Sequence, residues 1–193
     1  MTVFKARNPH RMLRRRKLTD MVTSLGVTLS ATLLMAGPAS GQEQPNCKTD
    51  AYNSLDFKIG RFIGHAAEGQ LAGISEVESI LAGCAVSERW HGAISGDGLG
   101  IFYRKPNDEK WYLLYLNDDG QVLELSGPAD ANGMTLSGQS QFYKYVGLHL
   151  MRWQKDNAGA VRQIWHLSKD GGDNWERVAD ILLEPVPQQS QGQ

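Results

Sequence analysis

A carboxylate set among aromatic residues is where this chain carries the most chemical potential. In the run Cys84-Ala85-Val86-Ser87-Glu88-Arg89-Trp90-His91-Gly92, an extended backbone puts Cys84, Val86, Glu88 and Trp90 on one face. Ala85, Ser87, Arg89 and His91 take the other. The first face is the apolar one, so it should turn inward and carry Glu88 with it. A carboxylate taken out of water is costly unless it is paired, and a buried one with a raised pKa can serve as a general acid or base. The same alternation over residues 160–168 places Val161, Gln163, Trp165 and Leu167 inside, with Arg162, His166 and Ser168 outside. Leu99, Ile101 and Tyr103 form another inward set, as do Trp111, Leu113 and Tyr115, although Tyr112, Leu114 and Leu116 are equally apolar. The resulting expectation is a ligand pocket walled by Trp90, Tyr103, Tyr115 and Trp165 and anchored by Glu88 and Gln163. The competing expectation fills the interior with these rings and pairs Glu88 with an arginine such as Arg152, whose face also holds Leu148 and Leu150.

Other chemistries find less support. His65, His91 and His166 fall on outer faces or strand ends, and His149 lies opposite Leu148 and Leu150. Convergence of these histidines on a haem or zinc is not expected, and no cofactor or metal is assigned. There is no Ser-His-Asp pattern, phosphate loop or spaced Cys/His motif. Ser168 to Trp175 fits the Asp-box pattern, in which an Asp side chain accepts local backbone N–H groups and a Trp packs beneath the turn. A single copy marks a hairpin, whereas sialidases repeat it.

The elements that must hold these side chains are short and β-prone. Strands are expected at 61–67, 74–81, 84–93, 99–105, 110–116, 121–127, 134–142, 147–155, 160–168 and 175–183. Between them lie turn clusters such as Gly96-Asp97-Gly98, Asn117-Asp118-Asp119-Gly120 and Asn157-Ala158-Gly159. Sequential hairpins without a long crossover imply an antiparallel meander, which avoids exposed edges most simply by closing. The expected fold is all-β, an antiparallel up-and-down barrel of about 8–10 strands with room for side chains or one small ligand. An open sandwich is the second choice. An α+β cone would need a long amphipathic N-terminal helix, and residues 42–60 are too short and too polar for one.

Several of these segments resemble a known family. Leu55-Asp56-Phe57-Lys58-Ile59-Gly60-Arg61-Phe62 is similar to the Asp-Phe-x-x-Gly-x-Trp opening of secreted calycin-like bacterial proteins of unknown function. Further matches are Gly83-Cys84 with Glu88-x-Trp90-x-Gly92, and Arg162-Gln163-Ile164-Trp165 running into Ser168-Lys169-Asp170-Gly171-Gly172-Asp173-Asn174-Trp175. The likeness covers most of residues 50–183 and departs at Phe62, where the family usually has Trp. It implies a lipocalin-like barrel and export, and brings no activity with it.

The N-terminus has the three parts of a secretory signal. Seven basic residues lie within residues 1–17, followed by an uncharged run at 21–36 and a small-x-small pattern at Ala39 and Gly41. Sixteen residues rich in Ser, Thr and Gly are short for a membrane span. Arg15-Arg16-Lys17-Leu18 also resembles a twin-arginine signal, which leaves the export route open. Leu81-Ala82-Gly83-Cys84 spells a lipobox but lies far from any leader. The chain thus divides into a signal peptide at 1–41, an arm at 42–54, a β-barrel domain at 55–184 and a disordered tail at 185–193. Cleavage after Gly41 leaves 13 basic and 20 acidic residues, a net charge near −7. That balance opposes nucleic-acid and anionic-membrane binding. The two cysteines, Cys47 and Cys84, both lie in the mature part and are expected to form one disulfide in an oxidising compartment, the alternative being two free thiols.

Three functions follow from this reading. The first is a periplasmic or secreted barrel binding a small hydrophobic molecule. The second is an enzyme using Glu88 as a buried acid or base, and the third an envelope interaction module with a filled core. Neither a nucleic-acid partner nor a membrane span after cleavage is expected.

Overall fold

Alternation in the β-prone runs is converted into a closed wall by tight, side-chain-braced turns. The computed structural model describes residues 47–105 and 107–187, so the leader, residues 42–46 of the arm and residues 188–193 of the tail lie outside the described residues. Ten long strands run β1 (Gly60–Ala66), β2 (Leu71–Ile80), β3 (Ala85–Gly92), β4 (Asp97–Arg104), β5 (Trp111–Asn117), β6 (Val122–Gly127), β8 (Gly133–Phe142), β9 (Tyr145–Lys155), β10 (Val161–Ser168) and β11 (Glu176–Pro185); a two-residue strand, β7 (Ala129–Asp130), pairs with the start of β8. Every strand pair is antiparallel, β1 pairs with β11, and β6 meets β8 at Ser126 and Ser137. The sheet is therefore a closed antiparallel barrel of ten strands with one extra, closed at β6 and β8.

The turns are built as their sequences dictate. Asn117 Oδ1 accepts from the Gln121 N–H, and Asp156 Oδ1 accepts from the N–H groups of Ala158 and Ala160. In the Asp-box hairpin, Asp170 Oδ1 accepts from the Ser168 hydroxyl at 2.6 Å and from the Asn174 N–H at 2.9 Å. These bonds hold the Asp170 carboxyl far below the usual carboxylate range, the Ser168 hydroxyl contributing most.

Before β1 the chain forms one helical turn, α1 (Asp50–Asn53), and a 3-10 turn over Asp56–Lys58. This segment closes one end of the barrel. Leu55 and Phe57 join the core with Phe62, Phe102 and Trp153, while Trp111 Nε1 donates to Ser54 Oγ at 2.9 Å. Cys47 and Cys84 are disulfide-bonded, tying the start of the described chain to the turn that leads into β3.

Two inward assignments invert. On β4 the inner residues are Gly98, Gly100 and Phe102, and Leu99, Ile101 and Tyr103 face out. Cross-strand partners share a face. Because Phe102 pairs with both Val86 and Leu113, which are inside, it must be inside as well. Size misled the reading, since two of the three inner residues are glycine. Tyr103 instead stacks on Tyr112, ring centroids 5.4 Å apart, on the outer surface. On β9, Gly147, His149, Met151 and Trp153 point inward, whereas Leu148 and Leu150 are half-buried outside and Arg152 is exposed. His149 is thus an interior residue, and Arg152 is not the mate of Glu88.

Candidate functional site

The interior polar site begins with Glu88, which the inward face of β3 carries into the barrel. It is 7% exposed, and its partner is Lys58, 2% exposed, from the turn just before β1. Lys58 Nζ donates to Glu88 Oε2 at 3.2 Å and the Ser75 hydroxyl donates to Oε1 at 2.6 Å, so each carboxylate oxygen already has a protein donor. The Lys58 ammonium also lies 4.8 Å from the Trp153 ring centre and 5.1 Å from that of Phe102. Burial pulls the Lys58 pKa below its ordinary value, and the charge of Glu88 opposes that shift.

Beyond this pair the lumen is walled by rings lying against glycines. Gly64, Gly73 and Gly92 stand side by side on β1, β2 and β3. A Cβ on Gly73 would come within 2.6 Å of Trp90 Cζ2, and one on Gly64 within 3.1 Å of Trp90 Cη2. The Trp90 indole therefore lies across β2 toward β1, pressed on the barrel wall. On the neighbouring strands Tyr115 lies over Gly98 and Gly100 in the same way, and a Cβ on Gly98 would collide with its hydroxyl. None of these five glycines has positive φ. They are used for the space a missing side chain leaves rather than for backbone freedom.

The opposite wall is tied together by side-chain hydrogen bonds. Trp153 Nε1 donates to Gln163 Oε1 at 2.7 Å, and Trp165 Nε1 donates to His149 Nδ1 at 3.1 Å. His149 Nε2 lies 3.2 Å from the Ser140 carbonyl and so must be its donor, which fixes a neutral imidazole protonated at Nε2. Burial lowers the His149 pKa in agreement. At the rim, Tyr143 takes a φ of 52° and is held by the β5–β6 turn: its N–H donates to Gln121 Oε1, its hydroxyl to Asp119, and Asn117 Nδ2 donates to the Tyr143 hydroxyl.

These walls enclose a cavity of about 620 Å³ in the half of the barrel away from the Leu55 plug. Glu88, Trp90, Tyr115, Gln163 and Trp165 all line it, and Tyr103 does not. The interior is thus filled at one end and open at the other. Alternation could not find Lys58, which precedes the first strand, nor the β9 residues Met151 and Trp153, whose face it inverted. Phe142, the last residue of an expected strand, and Tyr143 and Tyr145, which fall between the expected strands 134–142 and 147–155, line the cavity from the β8–β9 hairpin. Among the described residues no group of three or more His, Cys, Asp or Glu side chains is placed to hold a metal ion.

Fold and site together define a disulfide-bonded, closed antiparallel β-barrel with a half-open aromatic lumen, an architecture consistent with a calycin-like fold. No protein-family model and no curated protein matches the chain.

Proposed function

We propose that this is an exported barrel that holds one small, largely apolar molecule in the open half of its lumen. The observation that carries the reading is the pair of glycine beds under Trp90 and Tyr115. Ordinary core packing would turn such rings inward to fill the space. Here glycines leave the room against which two aromatics lie along the wall, and the space beyond them stays open. The cavity volume falls within the range of about 300–1,000 Å³ usual for small-molecule sites. Binding is favoured over catalysis because both Glu88 oxygens are engaged by Lys58 and Ser75. Export is supported by the three-part leader pattern in the sequence and by the Cys47–Cys84 disulfide, a bond typical of oxidising compartments.

The test is titration of the mature protein with N-phenyl-1-naphthylamine, a neutral probe that brightens in apolar surroundings. Saturable binding of one equivalent, with quenching of tryptophan emission, is expected. The absence of any saturable signal overturns the binding reading. N-terminal sequencing of the protein from its native host should find Gln42 first, and an uncut chain retained in the cytoplasm would overturn export.

A further inference from the structure

Building on the lumen-binding reading, we infer that the cavity selects a flat, uncharged ring system bearing an acceptor oxygen, such as an aromatic ketone or quinone. Three observations converge on that class. The first is shape. Trp90 and Tyr115 lie against adjoining stretches of wall, beside glycines on β1 to β4, while the Trp165 ring stands across the lumen on β10. Flat aromatic surfaces give a planar guest more contact than a chain or a globular one, through offset stacking and edge contacts.

The second is hydrogen-bond polarity. Trp153 Nε1 can only donate, so Gln163 must turn its oxygen to it, and the Gln163 amide nitrogen is left without a partner among the described residues. The Tyr115 hydroxyl likewise has no hydrogen-bond partner among them. Burial and the nearby Glu88 charge push its pKa up, so it remains a donor. Both groups on the cavity wall therefore offer protons, and what they lack is an acceptor. A guest that covers these lumen-facing donors without accepting from them strips their water at a cost, so one carrying an acceptor gains relative to its hydrocarbon.

The third is charge. Lys58 and Glu88 neutralise each other, while Asp180 is shared between Arg162, which bonds both its oxygens, and Arg177 at 3.0 Å, so the surplus charge of that cluster is positive and sits at the exposed rim. A charged guest seated between the rings would find no spare counter-ion among the described residues there, and desolvating it would be unfavourable.

Displacement of bound N-phenyl-1-naphthylamine by matched competitors tests the class. 9-Fluorenone is expected to bind about tenfold more tightly than fluorene, the gain of a single neutral hydrogen bond. It should also bind more tightly than dodecane and than 9-fluorenone-2-carboxylate. The fluorenone preference should shrink in Tyr115→Phe or Gln163→Leu, with the urea midpoint serving as the check that each variant is folded. If the probe binds but fluorene equals fluorenone, or dodecane or the carboxylate binds best, the inference is overturned while lumen binding stands. A preference that survives unchanged in both variants also overturns it. If the probe itself does not bind, both readings fall.

Discussion

Lys58 Nζ stands 3.2 Å from Glu88 Oε2 with both side chains buried, joining the plug before β1 to the inner face of β3. The pair sits between the filled and open halves of the barrel, and its energetics are asymmetric. Lys58→Met leaves Glu88 buried without a counter-ion and should cost about 3–5 kcal/mol. Adding Glu88→Leu replaces the pair by apolar groups and should restore most of that loss. Urea denaturation of the single and double variants measures both terms. A single variant as stable as the parent would show that Glu88 is solvated or neutral rather than ion-paired.

The glycine beds make a prediction about space rather than charge. Gly98→Ala drives a methyl into the Tyr115 hydroxyl, so the ring must swing into the lumen. Overpacking of this kind costs about 1–3 kcal/mol, and here it should also weaken N-phenyl-1-naphthylamine binding. Gly120→Ala is the control. Nothing lies within 4 Å of the added carbon, but the φ of +74° strains the backbone, so stability should fall with no change in probe affinity. Equal probe binding in parent and Gly98→Ala would mean that Tyr115 does not bound the open space.

Much of this architecture was legible because alternation and turn chemistry act locally. All ten long strands lie near their expected places, and the inward faces around Glu88 and around Gln163 follow from period-two patterning alone. The inversion of β4 has a simple cause: where the inner face is made of glycine, the outer face looks like the core. On β9 Leu148 and Leu150 outweighed Gly147 and His149 for the same reason. The mate of Glu88 was illegible because Lys58 sits in a 3-10 turn, where no alternation rule applies and only tertiary closure brings it to β3. Arg152 was the wrong cation because its strand was read in the wrong phase.

The disulfide should matter for stability and not for binding. It spans a sequence separation of 37 and anchors the turn Leu81–Gly83, whose three residues all have positive φ, two of them lacking the excuse of glycine. A bridge of this span contributes about 2–4 kcal/mol. Cys47→Ser with Cys84→Ser should lose that amount in denaturant titration. The cavity lies in the half away from Leu55, so probe affinity under native conditions should stay within about twofold of the parent, the scatter expected between independent sites. A large drop in affinity would indicate that the bridged end controls the shape of the lumen.

Acid should weaken the barrel through His149. Its imidazole is fully buried, neutral, and accepts the Trp165 indole N–H at Nδ1. Burial places its folded-state pKa below the ordinary 6.5. Below pH 6.5 the unfolded chain therefore takes up a proton that the folded chain refuses. Stability should accordingly fall as pH drops from 6.5 toward the folded-state pKa, and stay level with respect to this group above 6.5. The slope cannot exceed about 1.4 kcal/mol per pH unit for one group. His149→Asn keeps an acceptor for Trp165 but removes the titration. The other described histidines, His65, His91 and His166, are common to both proteins and cancel in the difference. Urea midpoints from pH 7.5 to 5.0 should therefore diverge between parent and variant only on the acid side. Parallel curves would mean that His149 takes up its proton equally in the folded and unfolded chains, and divergence on the alkaline side instead would mean that it is protonated when folded.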